Sequence, residues 1–347
     1  MARDGANDKP PSPRASVVVV AYESGPMLAD CLAAVRAQTM RDFELILVDN
    51  ASRDGAAQAA ARAEPALTFI ANAENLGFAA AVNQAALRAR GQWLALLNPD
   101  AFADPDWLQQ LLAAAEAYPE VRAFASRQLM AEDPRRLDGL GDVMSASGFA
   151  FRGGYGRPDP GAGPAAEVFS PCGGAMLIDR ELFLALGGFD ERLFCYCEDV
   201  DLGYRLRLAG RRTLLVPAAV VRHVGSAASG GPRSDFAVFH GTRNRLWVFV
   251  KDTPPLLFWL TLPLHLAATA LLFARHATRG ELAAPWRGLM AGLKGLPLAL
   301  AARREAQARR QASSFEIARA MTWNPLDLFQ RRVVARPLRL RGSPPSR

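Results

Sequence analysis

Several acidic residues follow short apolar runs in the sequence. Asp49 ends one such run, Asn98 and Asp100 follow another, Asp199 lies in an acidic cluster, and His223 ends a later apolar run. A set of carboxylates, an amide and an imidazole suits a divalent cation, because Mg²⁺ takes few protein ligands together with phosphate oxygens and Mn²⁺ also accepts imidazole. A separate carboxylate beside such a site could deprotonate an incoming hydroxyl.

The elements between these residues decide whether the side chains can meet. Residues 16–21, 44–49, 67–70 and 93–97 are short apolar runs typical of strands buried on both faces, and helical stretches separate them. This alternation predicts an α/β fold with a mostly parallel central sheet flanked by helices. Ligands of such sheets bind at the carboxyl ends of the strands. The acids together therefore favour one site, although a single Asp at a strand end is more often a cap or a solvated turn residue than a ligand. For Asp199 the alternative to a catalytic role is a helix N-cap.

A second compact block follows a segment rich in Gly and Pro. Residues 139–164 are predicted to form one long irregular segment. Loops of that length are commonly functional or act as linkers. Residues 169–225 then contain a strand at 175–178, a helix with the acidic cluster, and a strand that ends near 221–223.

Charge is unevenly distributed along the 347 residues. The formal net charge is +7, but residues 275–347 hold 15 Lys or Arg against 4 Asp or Glu, so the rest of the chain is mildly acidic. A basic tail on an acidic body indicates a membrane surface or a solvated tail, and no nucleic-acid partner is expected. The hydrophobic fraction of 50% excludes wholesale disorder.

The C-terminal region contains a long uncharged run, residues 253–274, whose 22 residues exceed the roughly 20 needed to span a bilayer. Pro254 and Pro255 open the run, and Pro263 and His265 interrupt it. A single crossing would also place the basic tail outside the cell, against the positive-inside preference. We therefore expect a re-entrant or in-plane segment, and the alternative is a helical hairpin buried in a soluble protein.

A second apolar stretch, residues 288–302, contains Lys294 and is predicted to be an interfacial helix. Residues 1–16 lack the apolar core of a signal peptide. The expected location is the cytoplasmic face of the cell membrane, or the cytoplasm if the hairpin is buried. The four cysteines lack a CxxC pair, so structural roles are favoured over a zinc site built on Cys172, Cys195 and Cys197.

The motifs, taken in order, resemble those of the family 2 glycosyltransferases, in particular the rhamnosyltransferase-like branch. The resemblance covers about residues 15–250. It is carried by Val-Val-Val-Ala-Tyr at 18–22, Val-Asp-Asn-Ala-Ser-Arg-Asp-Gly at 48–55, Asn-Leu-Gly-Phe at 75–78, Leu-Asn-Pro-Asp at 97–100, Gly-Gly-Phe-Asp-Glu at 187–191 and Glu-Asp-Val-Asp-Leu at 198–202.

The resemblance implies a GT-A fold over residues 15–250, with a nucleotide-sugar half at 15–130 and an acceptor half at 165–250. A disordered tail at 1–14 precedes this domain, and a helical, membrane-associated region at 251–347 follows it. In the donor site, Asp49 would accept the imide N–H of uracil or thymine, beside Tyr22 and Glu23, where Glu23 replaces the usual Asn. The further donor residues implied are Ala21, Asn50, Gly77, Phe78, Asn83 and Asn98.

The resemblance also assigns the reaction centre. Asp100 and His223 would bind Mg²⁺ or Mn²⁺, with weaker affinity than in relatives because Asn98 replaces the first Asp of the DxD motif. Asp199 would be the general base, and Gly174, Glu198 and Asp201 would lie on the acceptor side. One base and one in-line displacement give inversion at the sugar carbon.

The implied reaction moves a sugar, rhamnose from dTDP-rhamnose or another UDP- or dTDP-sugar, to a hydroxyl of a glycan or polyprenyl-linked acceptor. Residues 253–347 would contact the membrane surface. A carbohydrate-binding protein on the same scaffold is an alternative, since Asn98 weakens the metal motif. A sugar nucleotidyltransferase and a dinucleotide-dependent oxidoreductase are disfavoured, because 22–25 offer no cation for a phosphate loop and no GxGxxG follows the first strand.

Overall fold

A computed structural model describes residues 12–225, 230–231 and 233–338. Most of the predicted N-terminal tail and the end of the basic tail, from residue 339, lie outside the described residues. In the described part the strands are β1 (Ala15–Ala21), β2 (Phe43–Asp49), β3 (Thr68–Ala71), β4 (Trp93–Leu97), β5 (Ala101–Ala103), β6 (Ala123–Met130), β7 (Leu137–Gly139), β8 (Asp142–Met144), β9 (Ala150–Arg152), β10 (Ala166–Val168), β11 (Ala175–Asp179) and β12 (Thr213–His223).

Helices alternate with the strands in the first half of the chain and dominate its end. They are α1 (Met27–Arg36), α2 (Ala56–Ala63), α3 (Gly77–Arg88), α4 (Trp107–Ala117), α5 (Arg180–Ala185), α6 (Glu198–Leu208), α7 (Asp235–Asp252), α8 (Pro255–Ala277), α9 (Ala283–Lys294), α10 (Leu296–Ala308), α11 (Ser314–Ala320) and α12 (Pro325–Gln330).

One large sheet runs through the molecule in the order β10-β12-β6-β11-β4-β1-β2-β3. From β4 to β3 every pairing is parallel, whereas β11 pairs antiparallel with both β4 and β6. The predicted α/β sheet flanked by helices is confirmed. Its parallel part is the half that contains the strands predicted at 16–21, 44–49, 67–70 and 93–97, and the other half is mixed.

Both faces of this sheet are covered, which explains the uniformly apolar strands. Val17 and Val19 pack on the side of α1 and α4, and Val18 and Val20 pack on the side of α3 and α6. Successive side chains of a strand point to opposite faces, so a strand covered on both sides must be apolar throughout.

The prediction of an irregular segment at 139–164 is wrong for the first half of that segment. There β8 and β9 pair as an antiparallel hairpin whose turn contains Gly148 with a φ of +75°. A Cβ on Gly148 would lie 2.5 Å from the Phe249 ring, so glycine is needed there. Strands of three residues are too short to show a period in the sequence, and the glycines masked them.

The C-terminal helices also differ from their predicted outline. α8 continues through Pro263, and the stretch predicted as one helix at 288–302 is divided between α9 and α10 at Gly295. A Cβ on Gly295 would lie 2.2 Å from the Trp247 ring, and the Trp247 indole N–H donates to the Gly292 carbonyl oxygen at 2.9 Å. Close packing against α7 therefore fixes the break.

The described part of the C-terminal region packs onto β8 and β10 of the preceding domain. Thr322 donates its backbone N–H to the Met144 carbonyl oxygen at 2.9 Å, and Arg336 and Glu167 exchange backbone hydrogen bonds. The boundary predicted at residue 250 falls just before the end of α7 at Asp252.

Candidate active site

The ends of three adjacent parallel strands bring together side chains that are distant in sequence. Ala21 of β1 pairs with Asp49 of β2, and β1 also pairs with β4. Tyr22, Asn50 and Asn98 follow these strand ends. The parallel sheet therefore places them on one rim, as the sequence predicted.

A cavity of about 790 Å³ opens at this rim and extends across to the N-terminus of α6. The predicted site residues that line the cavity are Tyr22, Asn50, Gly77, Phe78, Asn98, Asp100, Gly174, Glu198 and Asp199. Residues assigned to the donor and acceptor sides thus face one shared space.

The loop before α3 is held by a network of amides. Asn50 donates to the Asn75 side-chain oxygen at 2.8 Å, and Asn75 in turn accepts the Gly77 N–H at 2.9 Å. Gly77 has a φ of +83°, and a Cβ there would lie 2.5 Å from the Phe194 carbonyl oxygen. Ala79 donates its N–H to that same oxygen at 3.2 Å. The N-terminus of α3 is thereby joined to the loop that precedes α6.

Besides His223, five predicted site residues lie outside the cavity lining: Ala21, Glu23, Asp49, Asn83 and Asp201. The Asp49 carboxylate is buried and accepts from the Ser52 N–H at 2.9 Å and the Gln58 amide at 2.5 Å. Glu23 is exposed and accepts the Arg53 N–H.

Two of those five support the structure around the site. Asn83 exchanges hydrogen bonds with the backbone of Phe189 at 2.8 and 2.9 Å, which fixes the turn at 187–191. Asp201 is fully buried and forms ion pairs with Arg205 and Lys251. The structure does not bring Asp201 to the acceptor side, because it lies on the inward face of α6.

Strand pairing brings Asp100 to His223. β5 begins at Ala101 and pairs antiparallel with β12, so that Ala101 lies opposite His223. The His223 Nε2 is 3.2 Å from the Asp100 Oδ1 and 3.4 Å from the Asn98 amide nitrogen. The predicted metal-binding pair is therefore adjacent, with Asn98 beside it.

The donor set at this position fits a divalent cation. The His223 Nδ1 lies 2.8 Å from Asp138, which fixes the ring and directs Nε2 toward Asp100. Asp138 is also paired with Arg152. Burial alone would lower the pKa of His223, but its hydrogen bonds with Asp100 and Asp138 outweigh burial and raise it. A carboxylate oxygen and an imidazole nitrogen facing each other make a binding set that either Mg²⁺ or Mn²⁺ accepts.

Asp199 lies at the start of α6, where backbone groups hold its carboxylate. Gly173 donates its N–H to Oδ2 at 2.9 Å, and Val200 donates to Oδ1 at 2.8 Å. Asp199 is partly exposed to the cavity. The preceding loop has three non-glycine residues with positive φ, Phe194, Tyr196 and Cys197, a conformation that L residues rarely adopt.

The neighbouring carboxyl, Glu198, is in a different environment. It is buried, its Oε2 has no hydrogen-bond partner, and burial together with repulsion from Asp199 raises its pKa well above the usual range. The buried surroundings of Glu198 therefore disfavour its charged form.

Sequence reasoning missed the residues that the β8–β9 hairpin and its approach contribute. Asp138 orients His223, and Asp142 lines the cavity with an unpartnered Oδ2. Burial, reinforced by Asp199, raises the pKa of Asp142. The only signal was an acid within a segment that its glycines made look irregular.

The cysteines do not form the zinc site considered from the sequence. All four are free thiols, and burial raises the pKa of each. Among the described residues, the group able to hold a metal by donor spacing is Asp142, Cys172 and Asp199, whose donor atoms lie within 4.8 Å of one another.

Solved structures of glycosyltransferases share this fold. A crystal structure of GalNAc-T7 with UDP, GalNAc and Mn²⁺ matches with a TM-score of 0.54 at 19% identity, over 68% of this chain and 48% of that one. The mannosyltransferase PcManGT from Pyrobaculum calidifontis, in complex with GDP-Man and Mn²⁺, matches with a TM-score of 0.51 at 21% identity, over 86% of each chain. The architecture is thus that of a GT-A glycosyltransferase.

Sequence comparison agrees and is more specific. The model of glycosyl transferase family 2 matches residues 16–184. An N-acetylglucosaminyl-diphospho-decaprenol L-rhamnosyltransferase of Mycobacterium tuberculosis is 31% identical, over 68% of this chain and 83% of its own length. The O-antigen biosynthesis protein RfbC of Myxococcus xanthus is 29% identical, over 90% of this chain and 25% of its own length. The chain belongs to glycosyl transferase family 2 and is a glycosyltransferase, so neither a nucleotidyltransferase nor an oxidoreductase is supported.

Proposed function

We propose that the protein is an inverting glycosyltransferase that moves L-rhamnose from dTDP-rhamnose, or another sugar from a UDP or dTDP donor, to a hydroxyl of a lipid-linked glycan. The observation that carries this proposal is the single cavity that holds the strand-end residues on one side and Asp199 on the other. The similarity to a rhamnosyltransferase named for a diphospho-decaprenol acceptor supports the choice of substrates.

On the donor side, Asp100 and His223 would hold the divalent cation, Mg²⁺ or Mn²⁺, with Asn98 beside them. Bound there, the cation would neutralise the charge that develops on the departing diphosphate. Tyr22, Asn50, Gly77 and Phe78 would line the nucleotide and sugar pocket. Asp49 lies outside the lining of this pocket. It would accept the imide N–H of the uracil or thymine base if the Gln58 amide moved off its carboxylate.

On the acceptor side, Asp199 would accept the proton of the attacking hydroxyl. The N–H groups of Gly173 and Val200 fix the position of its carboxylate beside the cavity. Burial disfavours the charged form of the neighbouring Glu198, so Asp199 is the better candidate for the base. Because one base acts on one face, the transfer inverts the configuration at the sugar carbon.

We further propose that the enzyme works at the cytoplasmic face of the membrane. One described helix, α8, is long and apolar enough to cross a bilayer, and only 17% of its most apolar window is buried. A mostly exposed apolar helix does not support the alternative of a buried hairpin. In-plane or re-entrant placement would keep the basic residues of 275–338 near anionic headgroups.

The test is a transfer assay with dTDP-L-rhamnose and N-acetylglucosaminyl-diphospho-undecaprenol. We expect release of dTDP that requires the acceptor, stops with EDTA and resumes with excess Mn²⁺ or Mg²⁺. A panel of UDP- and dTDP-sugars identifies the donor. Absence of acceptor-dependent release with every donor would refute the proposal.

A further inference from the structure

The shared cavity extends beyond Asp199 to a wall with three arginines, two of which form no salt bridge in the described residues. Arg245 projects from α7, and Arg331 follows α12. This wall lies on the acceptor side, apart from the Asp100–His223 pair that would serve the donor diphosphate.

Arg245 is a half-buried cation without an acidic partner. Its guanidinium lies 4.1 Å from the centre of the Phe149 ring, and it donates to the Gly241 carbonyl oxygen at 3.3 Å. No ion pair of Arg245 with a carboxylate occurs within 4.0 Å in the described residues, and burial lowers its pKa. A guanidinium in this situation is costly unless an anion binds it.

Arg331 is similarly unpaired at the mouth of the cavity. Its guanidinium lies 5.8 Å from the Phe151 ring, and over the described ranges it forms no salt bridge. Its backbone is fixed, because its carbonyl oxygen accepts the Gly154 N–H at 2.7 Å. The third arginine of this wall, Arg152, differs in that Asp138 neutralises it.

The acids that share the cavity do not cancel these two charges. Among the described residues, neither Asp142 nor Glu198 forms an ion pair with Arg245 or Arg331 within 4.0 Å, although both acids line the same cavity. Asp199 is held by backbone N–H groups and forms no salt bridge with either arginine.

The same wall adjoins the exposed apolar helix. His265 of α8 stacks on Phe249 with ring centres 4.0 Å apart and bonds to the Ser147 carbonyl oxygen at 2.9 Å. Arg275, in the last turn of α8, lies close enough to Arg331 to influence its pKa, which burial also lowers. The two unpaired cations thus lie between the reaction centre and α8.

We propose that Arg245 and Arg331 bind the diphosphate of a polyprenyl-diphosphate-linked acceptor, with the lipid chain directed along α8. This inference rests on the proposed function and adds a site for one part of its substrate. Planar guanidinium groups match phosphate oxygens in a bidentate manner. A diphosphate bound here would place the first sugar of the acceptor toward Asp199.

The test measures binding of farnesyl diphosphate by calorimetry in EDTA, which suppresses cation-dependent binding at the donor site. We expect binding to the wild type and at least about tenfold weaker binding to Arg245→Gln and to Arg331→Gln, since each variant loses charged hydrogen bonds to phosphate oxygens. Arg279→Gln, an exposed arginine just after α8, is the matched control and should bind as the wild type does.

The other outcomes are decisive as well. Equal binding of inorganic pyrophosphate would assign the wall to a free diphosphate and overturn the acceptor site. Equal loss in Arg279→Gln would show general attraction to the basic tail and overturn it too. Binding of UDP or dTDP with Mn²⁺ reports folding in each variant, and Arg331→Gln decides if Arg245→Gln is unfolded. If the wild type binds nucleotide but not farnesyl diphosphate, only this inference fails, whereas loss of nucleotide binding would contradict the proposed function.

Discussion

Two adjacent carboxyls at the start of α6 differ because their surroundings differ. Asp199 faces the cavity and accepts two backbone N–H groups, whereas Glu198 is buried with an unpartnered oxygen. Burial disfavours the charged form of a carboxyl and raises the pKa of Glu198. We therefore propose Asp199, and not Glu198, as the base.

Replacing Asp199 with Asn is expected to lower the transfer rate about 10²–10⁴-fold, the usual contribution of a general base, with donor affinity nearly unchanged. The measurements are the initial rate of nucleotide release and the calorimetric dissociation constant of the donor. Glu198→Gln is the control, since it replaces the neighbouring buried carboxyl with an amide of the same shape. Activity of Asp199→Asn within about tenfold of the wild type would show that another group is the base.

The affinity for Mn²⁺ should depend on pH through His223. Its pKa is raised in the cation-free protein, so protons compete with the cation, and affinity should fall by up to about tenfold per pH unit once the pH drops below that raised pKa. Calorimetric titration with Mn²⁺ from about pH 8 to about pH 6 measures this, within the range where imidazole ionises.

His223→Asn provides the comparison for that experiment. It should bind Mn²⁺ more weakly at high pH but lose most of the pH dependence. A wild-type affinity that stays constant over the whole range would remove His223 from the metal site.

At the level of single residues, the sequence predicted the site residues that follow the ends of apolar runs. It missed the acids that only the pairing of short strands brings to the site. Asn98, Asp100 and His223 were found because apolar runs end beside them. Asp138 and Asp142 were missed because their strands have three residues each, too few to show a period. Motif spacing alone could not show that Asp201 points into the protein.

Among the elements, the loop before α6 is the one whose conformation needs outside support. The Asn244 amide, fully buried on α7, donates to the carbonyl oxygens of Leu193, Cys195 and Tyr196 at 2.8, 2.9 and 2.7 Å. This loop contains the positive-φ residues that aim Glu198 and Asp199. The neighbouring Arg243 guanidinium also donates to the Leu193 carbonyl oxygen at 2.9 Å, so that two side chains of α7 hold the entry to α6.

Asn244→Leu should destabilise the protein by about 1–3 kcal/mol, because buried carbonyl oxygens lose their donor, and should also reduce the transfer rate. Chemical denaturation and steady-state kinetics measure the two effects. Ser313→Ala removes the N-cap of α11 at a cost of about 1 kcal/mol and should leave the rate unchanged. An Asn244→Leu protein that is destabilised but fully active would show that the loop keeps its conformation unaided.

Strands and helices were predicted accurately where the apolar pattern of the sequence was clear. They were predicted poorly where side-chain packing sets the boundary of an element. The first four strands were found from apolar runs. The break between α9 and α10 was not, because it depends on the Trp247 ring filling the space beside Gly295.

Across the described part of the molecule, most of the large exposed apolar side chains lie on the C-terminal helices, and the three most exposed of α8 are near its start. Leu256, Trp259 and Leu260 are 70%, 71% and 60% exposed. Large contiguous apolar surface on a folded protein marks a binding face, and the basic residues that follow suit an anionic bilayer.

Leu256→Glu should weaken binding to phosphatidylglycerol vesicles at least about tenfold, since burying a leucine side chain contributes about 1.5–3 kcal/mol. Sedimentation with vesicles of this lipid and of phosphatidylcholine measures the effect. Leu87→Glu on α3 is the matched control, because Leu87 is also 70% exposed but lies on the catalytic body. Equal binding of both variants and the wild type would exclude α8 from the contact.

The contact between Gly77 and Phe194 has a consequence for engineering. The start of α3 belongs to the predicted nucleotide-sugar half, and Phe194 belongs to the predicted acceptor half, yet their backbones meet where no side chain fits. The two halves are therefore not interchangeable modules. A chimera that takes residues 15–130 from a relative with another donor will need the 194–197 loop from the same parent. Otherwise Asp199, which follows that loop, will change its position relative to the donor pocket.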